Sequence, residues 1–132
     1  MAQYITKKED KELIRKDVCT RLMTGLFLSP INPEDFDGLH ILRLDDEYWK
    51  RYNRCEVLES IPVLRSMSSM TEKERKEYEN LRYDHSCSIK EYCTEIVDFF
   101  ISHYLDYRGL IKRGLAKEDE NELYKKVYNL DI

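Results

Sequence analysis

The chain has 132 residues, a formal net charge of -4 and 36% charged side chains, a composition typical of one soluble domain. Its 26 acidic and 22 basic residues nearly cancel, which argues against a general polyanion-binding protein. The sequence contains no run of about 18 apolar residues, and its first segment turns charged at once, so it predicts neither a membrane span nor a signal peptide. We therefore expect a cytosolic protein.

The N-terminal third predicts a helix followed by two short strands. Residues 7–24 carry apolar side chains at helical spacing and end near a glycine. Residues 25–29 predict a short buried strand, which the prolines that follow would stop. Residues 39–44 alternate between apolar and polar side chains and predict a second strand. A small sheet is therefore expected.

The middle of the chain predicts a helix with a defined start. Thr71 and Glu74 have the spacing of a capping box, in which each side chain binds the backbone amide of the other residue. We therefore expect a surface helix over residues 71–82 that docks one narrow apolar stripe. Before it, residues 47–52 predict a helical turn, and residues 55–64 predict either a third strand or a short helix.

The broadest apolar face in the chain predicts a long helix from Ser88, its N-cap, to Tyr107, with Arg108 and Gly109 at its end. Residues 109–114 predict a turn, and residues 122–130 predict a last, frayed helix. The predicted fold class is therefore α+β: one mostly helical domain over residues 1–132, with a small antiparallel sheet packed on a long C-terminal helix.

The cysteines are predicted to be free thiols in the core, because a reducing cytosol disfavours disulfides; they are Cys19, Cys55, Cys87 and Cys93. The set to test for zinc is His85, Cys87 and Cys93, completed by Cys19, Cys55 or His40. Structural zinc ligands usually pair with about two to four residues between them, whereas here one residue separates His85 from Cys87 and five separate Cys87 from Cys93. No metal and no cofactor is therefore predicted.

No pattern in the sequence predicts catalysis. The four glycines stand singly, which argues against a phosphate-binding loop. His85 beside Ser86 and Cys87 has no third group to orient it. His103 lies on the apolar face of the long helix and is predicted to be a hydrogen-bonded core histidine. Acid–base catalysis needs two groups in opposed environments, so without such a pair we expect a protein that is not an enzyme.

Tyrosine is unusually abundant, with ten residues against four phenylalanines and one tryptophan. Such rings lie at core edges or anchor interfaces together with tryptophan and arginine. Residues 47–54 combine three aromatic and three basic side chains, and residues 34–47 contain six acids and one base. This acidic segment either is simply solvated or steers a partner of complementary charge. The partner-binding candidates are Asp45, Asp46, Glu47, Tyr48, Trp49 and Tyr52.

Three segments carry a family resemblance: residues 15–22 (RKDVCTRL), 63–74 (VLRSMSSMTEKE) and 106–116 (DYRGLIKRGLA). In order and approximate spacing they resemble small uncharacterised proteins encoded by phages and prophages of Bacteroidetes bacteria. The resemblance implies a shared fold and a phage setting, and it implies no catalytic residue. Residues 36–59 and 117–121 depart from the family pattern, so a special activity of this member is expected there.

These observations predict a non-enzymatic phage accessory protein that binds and inhibits a host or defence protein. An anti-CRISPR inhibitor of an RNA-guided nuclease, or of its guide-RNA complex, is the leading example. One alternative is a nucleic-acid-binding phage regulator that uses the basic residues of the first helix, Lys7, Lys8, Lys11, Arg15, Lys16 and Arg21. Four interleaved acids reduce these six charges to +2, so we expect neither strong direct nucleic-acid binding nor a membrane partner. A small metal-dependent enzyme is the other alternative.

Overall fold

The structure is a computed structural model that describes residues 4–32, 42–43, 46–83 and 89–129. Within these residues five α-helices and four strands alternate irregularly along the chain. They are α1 (Lys8–Thr20), β1 (Phe27–Pro30), β2 (Leu42–Arg43), α2 (Asp46–Arg54), β3 (Ser60–Leu64), α3 (Glu72–Arg82), α4 (Ile89–Ser102), β4 (Lys117–Glu118) and α5 (Leu123–Tyr128). The predicted α+β class is confirmed. None of the described helices has the length and apolar character needed to cross a lipid bilayer.

The sheet is mixed, with the strand order β2-β1-β3-β4. Strand β1 pairs antiparallel with β2 and with β3, which confirms the small antiparallel sheet. Strand β4 pairs parallel with β3 and adds an edge that the sequence does not predict. A parallel pair requires a long crossover, and here α3 and α4 lie in that connection.

The predicted long C-terminal helix is wrong, because α4 ends at Ser102 and the last helix, α5, has only 6 residues. Tyr104 has a left-handed backbone with φ of 59°, and the chain then forms a β-bridge between Leu105 and Arg65. The Arg65 amide donates to the Tyr104 carbonyl at 2.8 Å, and the Asp106 amide donates to the Arg65 carbonyl at 2.8 Å. These long-range bonds end the helix although its apolar periodicity continues.

The main hydrophobic core lies between α1, the sheet and α5, rather than between the sheet and α4. It contains Ile14 and Val18 from α1, Leu28 and Leu64 from the sheet, and Tyr124 from α5. The predicted last helix is present as α5, and the fully buried Tyr124 anchors it to this core. A second, smaller cluster packs α3 against α4; its buried members are Phe99, Phe100 and Leu105, with Tyr78 and Leu81 of α3 against them. The predicted narrow face of α3 is thus confirmed.

Tyrosine hydroxyls satisfy backbone carbonyls at the boundary of the main core. The donor–acceptor pairs are Tyr52–Ser60, Tyr104–Thr24, Tyr124–Val63 and Tyr128–Gly25. The Tyr124 hydroxyl also accepts from the Phe27 amide at 3.0 Å. The rings of Tyr104 and Tyr124 stack with centroids 3.8 Å apart. Part of the unusual tyrosine content therefore serves the fold, because these rings bury apolar surface while their tips satisfy buried acceptors.

The prediction that the cysteines fill the core is wrong for Cys19, Cys55 and Cys93, which are exposed free thiols. The buried part of α4 lies further along the helix, at Phe99 and Phe100, so the packing does not extend back to Cys93. Three of the candidate zinc ligands, His40, His85 and Cys87, lie outside the described residues, as does the predicted cap Ser88. Among the described residues no group of three potential metal ligands comes together.

Candidate functional site

Helix α2 carries most of the predicted partner-binding residues, and the structure exposes them unequally. Glu47 is exposed, whereas Tyr48 and Trp49 are half-buried. Asp46 is the first residue of α2, and Asp45 lies outside the described residues. The surface of α2 thus presents Glu47 fully and the two aromatic side chains in part.

Tyr52 is almost fully buried, with only 4% of it exposed, so it offers a partner little surface outside the core. Its hydroxyl donates to the Ser60 carbonyl at 2.9 Å, and burial raises the pKa of this phenol well above its usual value. Trp49 packs on the same core, with its ring centroid 6.4 Å from that of Tyr52. These two side chains are three residues apart on one face of α2 and hold that face against the core, with Tyr52 bonded to the first residue of β3.

A cleft of about 300 Å³ opens between α2 and the chain that leads into β3. We call it the α2 cleft; its lining residues are Tyr48, Arg51, Tyr52, Cys55, Val57, Leu58, Glu59 and Ser60. Val57 is 37% exposed, so an apolar side chain meets solvent at the cleft. Burial raises the pKa of the Tyr48 phenol, which keeps it a neutral hydrogen-bonding group. The volume lies at the lower end of the range for ligand sites, about 300–1,000 Å³.

Beside the cleft, three exposed cations form what we call the α2 basic stripe: Lys50, Arg51 and Arg54. Their spacing places them on one side of the helix together with Glu47. None of the three forms a salt bridge with any residue in the described ranges. Arg51 belongs both to the stripe and to the cleft lining. The α2 surface therefore combines an apolar recess with positive charge that no described residue pairs.

Sequence reasoning missed the second wall of this cleft, which is formed by residues 57–60. The local signal is the exposed Val57, which with Leu58 forms an apolar pair inside the segment 53–60. That signal is weak, because single exposed apolar residues are common on protein surfaces. Only the packing of α2 against β3 brings this wall opposite Tyr48.

The first of two buried ion-pair networks joins two of the segments that carry the phage-protein resemblance. Asp17 binds Arg21 with an Nε–Oδ2 distance of 3.0 Å and Arg108 with an Nε–Oδ1 distance of 3.1 Å. Arg21 also donates to the Leu105 carbonyl at 2.6 Å, and both guanidinium groups lie over the ring of Tyr107. Arg108 thus pairs with α1 and does not end the long helix as the sequence predicts.

The second network involves the remaining segment. Arg65 and Glu74 form a bidentate pair with two N–O distances of 2.7 Å, and Arg65 also donates to the His103 carbonyl at 3.1 Å. Glu74 accepts from the Thr71 amide at 2.9 Å, while the Glu74 amide donates to the Thr71 hydroxyl at 3.2 Å, which confirms the capping box. The predicted hydrogen bond of His103 is confirmed as well, since its Nδ1 lies 2.8 Å from the Phe99 carbonyl.

The bridge between Arg65 and Leu105 connects the two networks, so the three segments meet in one place. Asp17, Arg21 and Arg65 each bind a group that is distant in sequence. Removing one partner of such a pair is costly, because it leaves an uncompensated charge away from water. The segments behind the resemblance therefore form a structural scaffold.

The structure buries part of the basic set proposed for nucleic-acid binding on α1. Arg21 is 0% exposed and cannot reach a phosphate. Arg15 is half-buried and donates to the Cys55 carbonyl, and Lys11 donates to the Glu56 carbonyl. These bonds tie α1 to the segment behind α2, so part of the predicted basic set stabilises the wall of the α2 cleft.

Glu74 is expected to make stability depend on acidic pH. Burial alone raises the pKa of its carboxyl, but hydrogen bonds from Arg65 and the Thr71 amide, with the Arg65 charge, hold the pKa below its usual value. A carboxyl with a lower pKa in the folded state stabilises the fold at neutral pH and loses that contribution as the pH falls below about 4.3. We expect Glu74→Gln to lower the free energy of unfolding at neutral pH by about 1–3 kcal/mol and to flatten the acid-dependent loss, measured by urea unfolding at several pH values.

The matched control for this pH experiment is Glu77→Gln, one turn away on α3, where the Glu77 side chain is 47% exposed. It should leave the pH profile close to that of the natural chain. Identical profiles for the two variants would show that the Arg65–Glu74 pair has no special role.

Comparison of the chain with protein-family models, curated proteins and solved structures returns no match. The resemblance of the three segments to phage proteins therefore stays a prediction. The case for a function depends on the α2 surface.

Proposed function

We propose that this protein is a non-enzymatic phage accessory protein that binds and inhibits a host or defence protein through its α2 surface. An RNA-guided nuclease, alone or with its guide RNA, is the first partner to test. The observation that carries the proposal is the α2 basic stripe: its three exposed cations have no ion-pair partner in the described ranges, and one of them, Arg51, lines an open cleft. The resemblance of the three scaffold segments supports the phage setting.

The composition of the α2 surface favours binding to a macromolecule. Tyrosine and arginine are enriched among the residues that dominate binding energy at protein interfaces. Here Tyr48 and Arg51 line the same recess, and Lys50 and Arg54 are exposed on the same helix as Arg51. Within the described ranges these cations form no ion pair, whereas Asp17, Arg21, Arg65 and Glu74 are held in buried pairs. Charged groups left free at a surface steer association and select partners.

Phage infection of bacteria with RNA-guided immunity tests the proposal. Cells express the natural chain or the α2 variant Lys50→Glu, Arg51→Glu, Arg54→Glu, and plaque formation is counted. The natural chain should restore plaques, and the α2 variant should lose at least about tenfold of that effect, because one lost hot-spot contact already weakens binding by this factor. Direct binding of the purified nuclease, with and without guide RNA, should follow the same order.

The control carries an equal charge change at exposed cations elsewhere: Arg75→Glu, Lys76→Glu and Lys126→Glu, on α3 and α5. It should protect phage as well as the natural chain does. Loss of protection in both variants would show that the effect depends on net charge alone. Full protection by the α2 variant would exclude the α2 surface as the partner-binding site. Tight, salt-sensitive binding of bare RNA or DNA in a gel-shift assay would instead favour the regulator.

A further inference from the structure

We infer that the α2 cleft receives one apolar side chain of an acidic segment in the partner protein, and that carboxylates flanking this side chain bind the α2 basic stripe. The inference rests on the proposed function and names the chemistry that the α2 surface recognises. It uses two features that share Arg51, the recess between α2 and β3 and the exposed cations of α2.

The apolar half of the inference comes from the shape and lining of the cleft. Tyr48 and Leu58 contribute an aromatic and an aliphatic wall, and Val57 remains 37% exposed to solvent. Covering Val57 and filling the recess removes apolar surface from water, which is favourable in proportion to the area buried. An apolar anchor seated in such a pocket, surrounded by polar contacts, is the common arrangement of an interface hot spot.

The acidic half comes from the charges on α2. Lys50 and Arg54 are four residues apart on one helix face, a spacing at which like charges repel each other. Opposite charge from a partner removes this repulsion, and an arginine guanidinium can bind a carboxylate through two parallel hydrogen bonds. Arg51 contacts both regions, so one acidic residue beside the anchor can reach it while the anchor stays in the cleft.

The opposite wall favours a peptide over a nucleic acid. Glu59 lines the cleft and the neighbouring Glu56 is exposed, which places negative charge where a phosphate chain would continue. Nucleic-acid binding normally relies on a continuous basic surface that neutralises several phosphates. A peptide carries its charges on individual side chains and can place them on the basic side alone.

Titration of the isotope-labelled protein with short peptides, followed by amide chemical shifts, tests the inference. The probe has one leucine between two pairs of aspartates. One comparison peptide has serine in place of the leucine, another has lysines in place of the aspartates, and a short single-stranded DNA is the third ligand. The acidic leucine peptide should shift amides of α2 and residues 55–60, with binding that weakens as salt increases. The other three ligands should bind at least about tenfold more weakly.

Two variants test the apolar part and the acidic part of the inference separately. Arg51→Ala should weaken binding of the acidic leucine peptide about tenfold. Val57→Asp should weaken this binding at least as much, while the amide spectrum remains that of a folded protein. The control Arg75→Ala, an exposed cation on α3, should leave the affinity unchanged. Equal binding of the serine peptide, preference for the lysine peptide or the DNA, or shifts confined to other elements would each overturn the inference.

The two proposals fail in different ways. If the α2 variant loses its partner while the acidic leucine peptide leaves the cleft unaffected, the proposed function stands and the recognition chemistry is wrong. If the peptide binds the cleft while the α2 variant binds the partner and protects phage as well as the natural chain does, the cleft binds acidic peptides but the proposed function is wrong.

Discussion

Replacing Asp17 with alanine is expected to lower the free energy of unfolding by about 3–5 kcal/mol, the typical cost of removing one partner from a buried charge pair. Asp17 holds two guanidinium groups at once, those of Arg21 and Arg108, and Arg21 has no exposure to water that could replace the lost carboxylate. The change is measured by urea unfolding followed by circular dichroism. For a domain of this size it is a large part of the total stability, which is typically about 5–15 kcal/mol.

Asp10→Ala on the same helix provides the control. The Asp10 side chain is 24% exposed and pairs at 3.5 Å with Arg113, whose side chain is 54% exposed. Water screens such a pair, so we expect a loss of only about 0–1 kcal/mol. If Asp17→Ala does not fold, Asp17→Asn keeps one of the two acceptor oxygens and should show an intermediate loss. Similar stabilities for the Asp10 and Asp17 alanine variants would contradict the role of the first network.

Removing the Tyr124 side chain is the second change with a large expected effect. Tyr124→Ala should cost about 3–5 kcal/mol, the usual range for deleting a large buried aromatic ring. The ring packs on Phe27 and Tyr104 and is fully buried. Thermal and urea unfolding of the variant, compared with the natural chain, measure this loss.

Tyr124→Phe separates the hydroxyl from the ring. Without the hydroxyl, the Val63 carbonyl loses its donor and the Phe27 amide loses its acceptor, so we expect a loss of about 1–3 kcal/mol. Tyr83→Ala is the control, because Tyr83 is 67% exposed and should change stability by no more than about 0.5 kcal/mol. If the phenylalanine variant is as stable as the natural chain, the bridging hydroxyl does not contribute as the geometry indicates.

The elements that sequence reasoning predicts well are those specified by near neighbours. The capping box of α3 needs only Thr71 and Glu74, three residues apart, and both of its hydrogen bonds are present. Helix α1 follows apolar spacing within a few turns, and Gly25 stops the segment with a left-handed φ of 79°. Such features depend on local backbone geometry, so their information lies within a short stretch of chain.

Features that depend on distant residues were predicted less well. The end of α4 follows from bonds between Arg65 and residues 104–106, and the parallel edge follows from the pairing of β3 with β4. The candidate site shows the same limit, because the aromatic and basic composition of residues 47–54 marked the segment without showing which side chains face the core. Packing against β3 buries Tyr52 and leaves Arg51 at the surface.

The sequence by itself determined that this protein is α+β, that α1 and α3 are helices, and that the aromatic and basic residues around α2 deserve testing as a contact surface. Tertiary structure alone decided that the three segments behind the phage resemblance meet in two linked ion-pair networks, and that α2 and residues 57–60 enclose a cleft. The physical reason is the range of the interactions involved. Helix periodicity and caps act over one turn, whereas buried charge pairs and clefts form only when segments far apart in the chain are folded together.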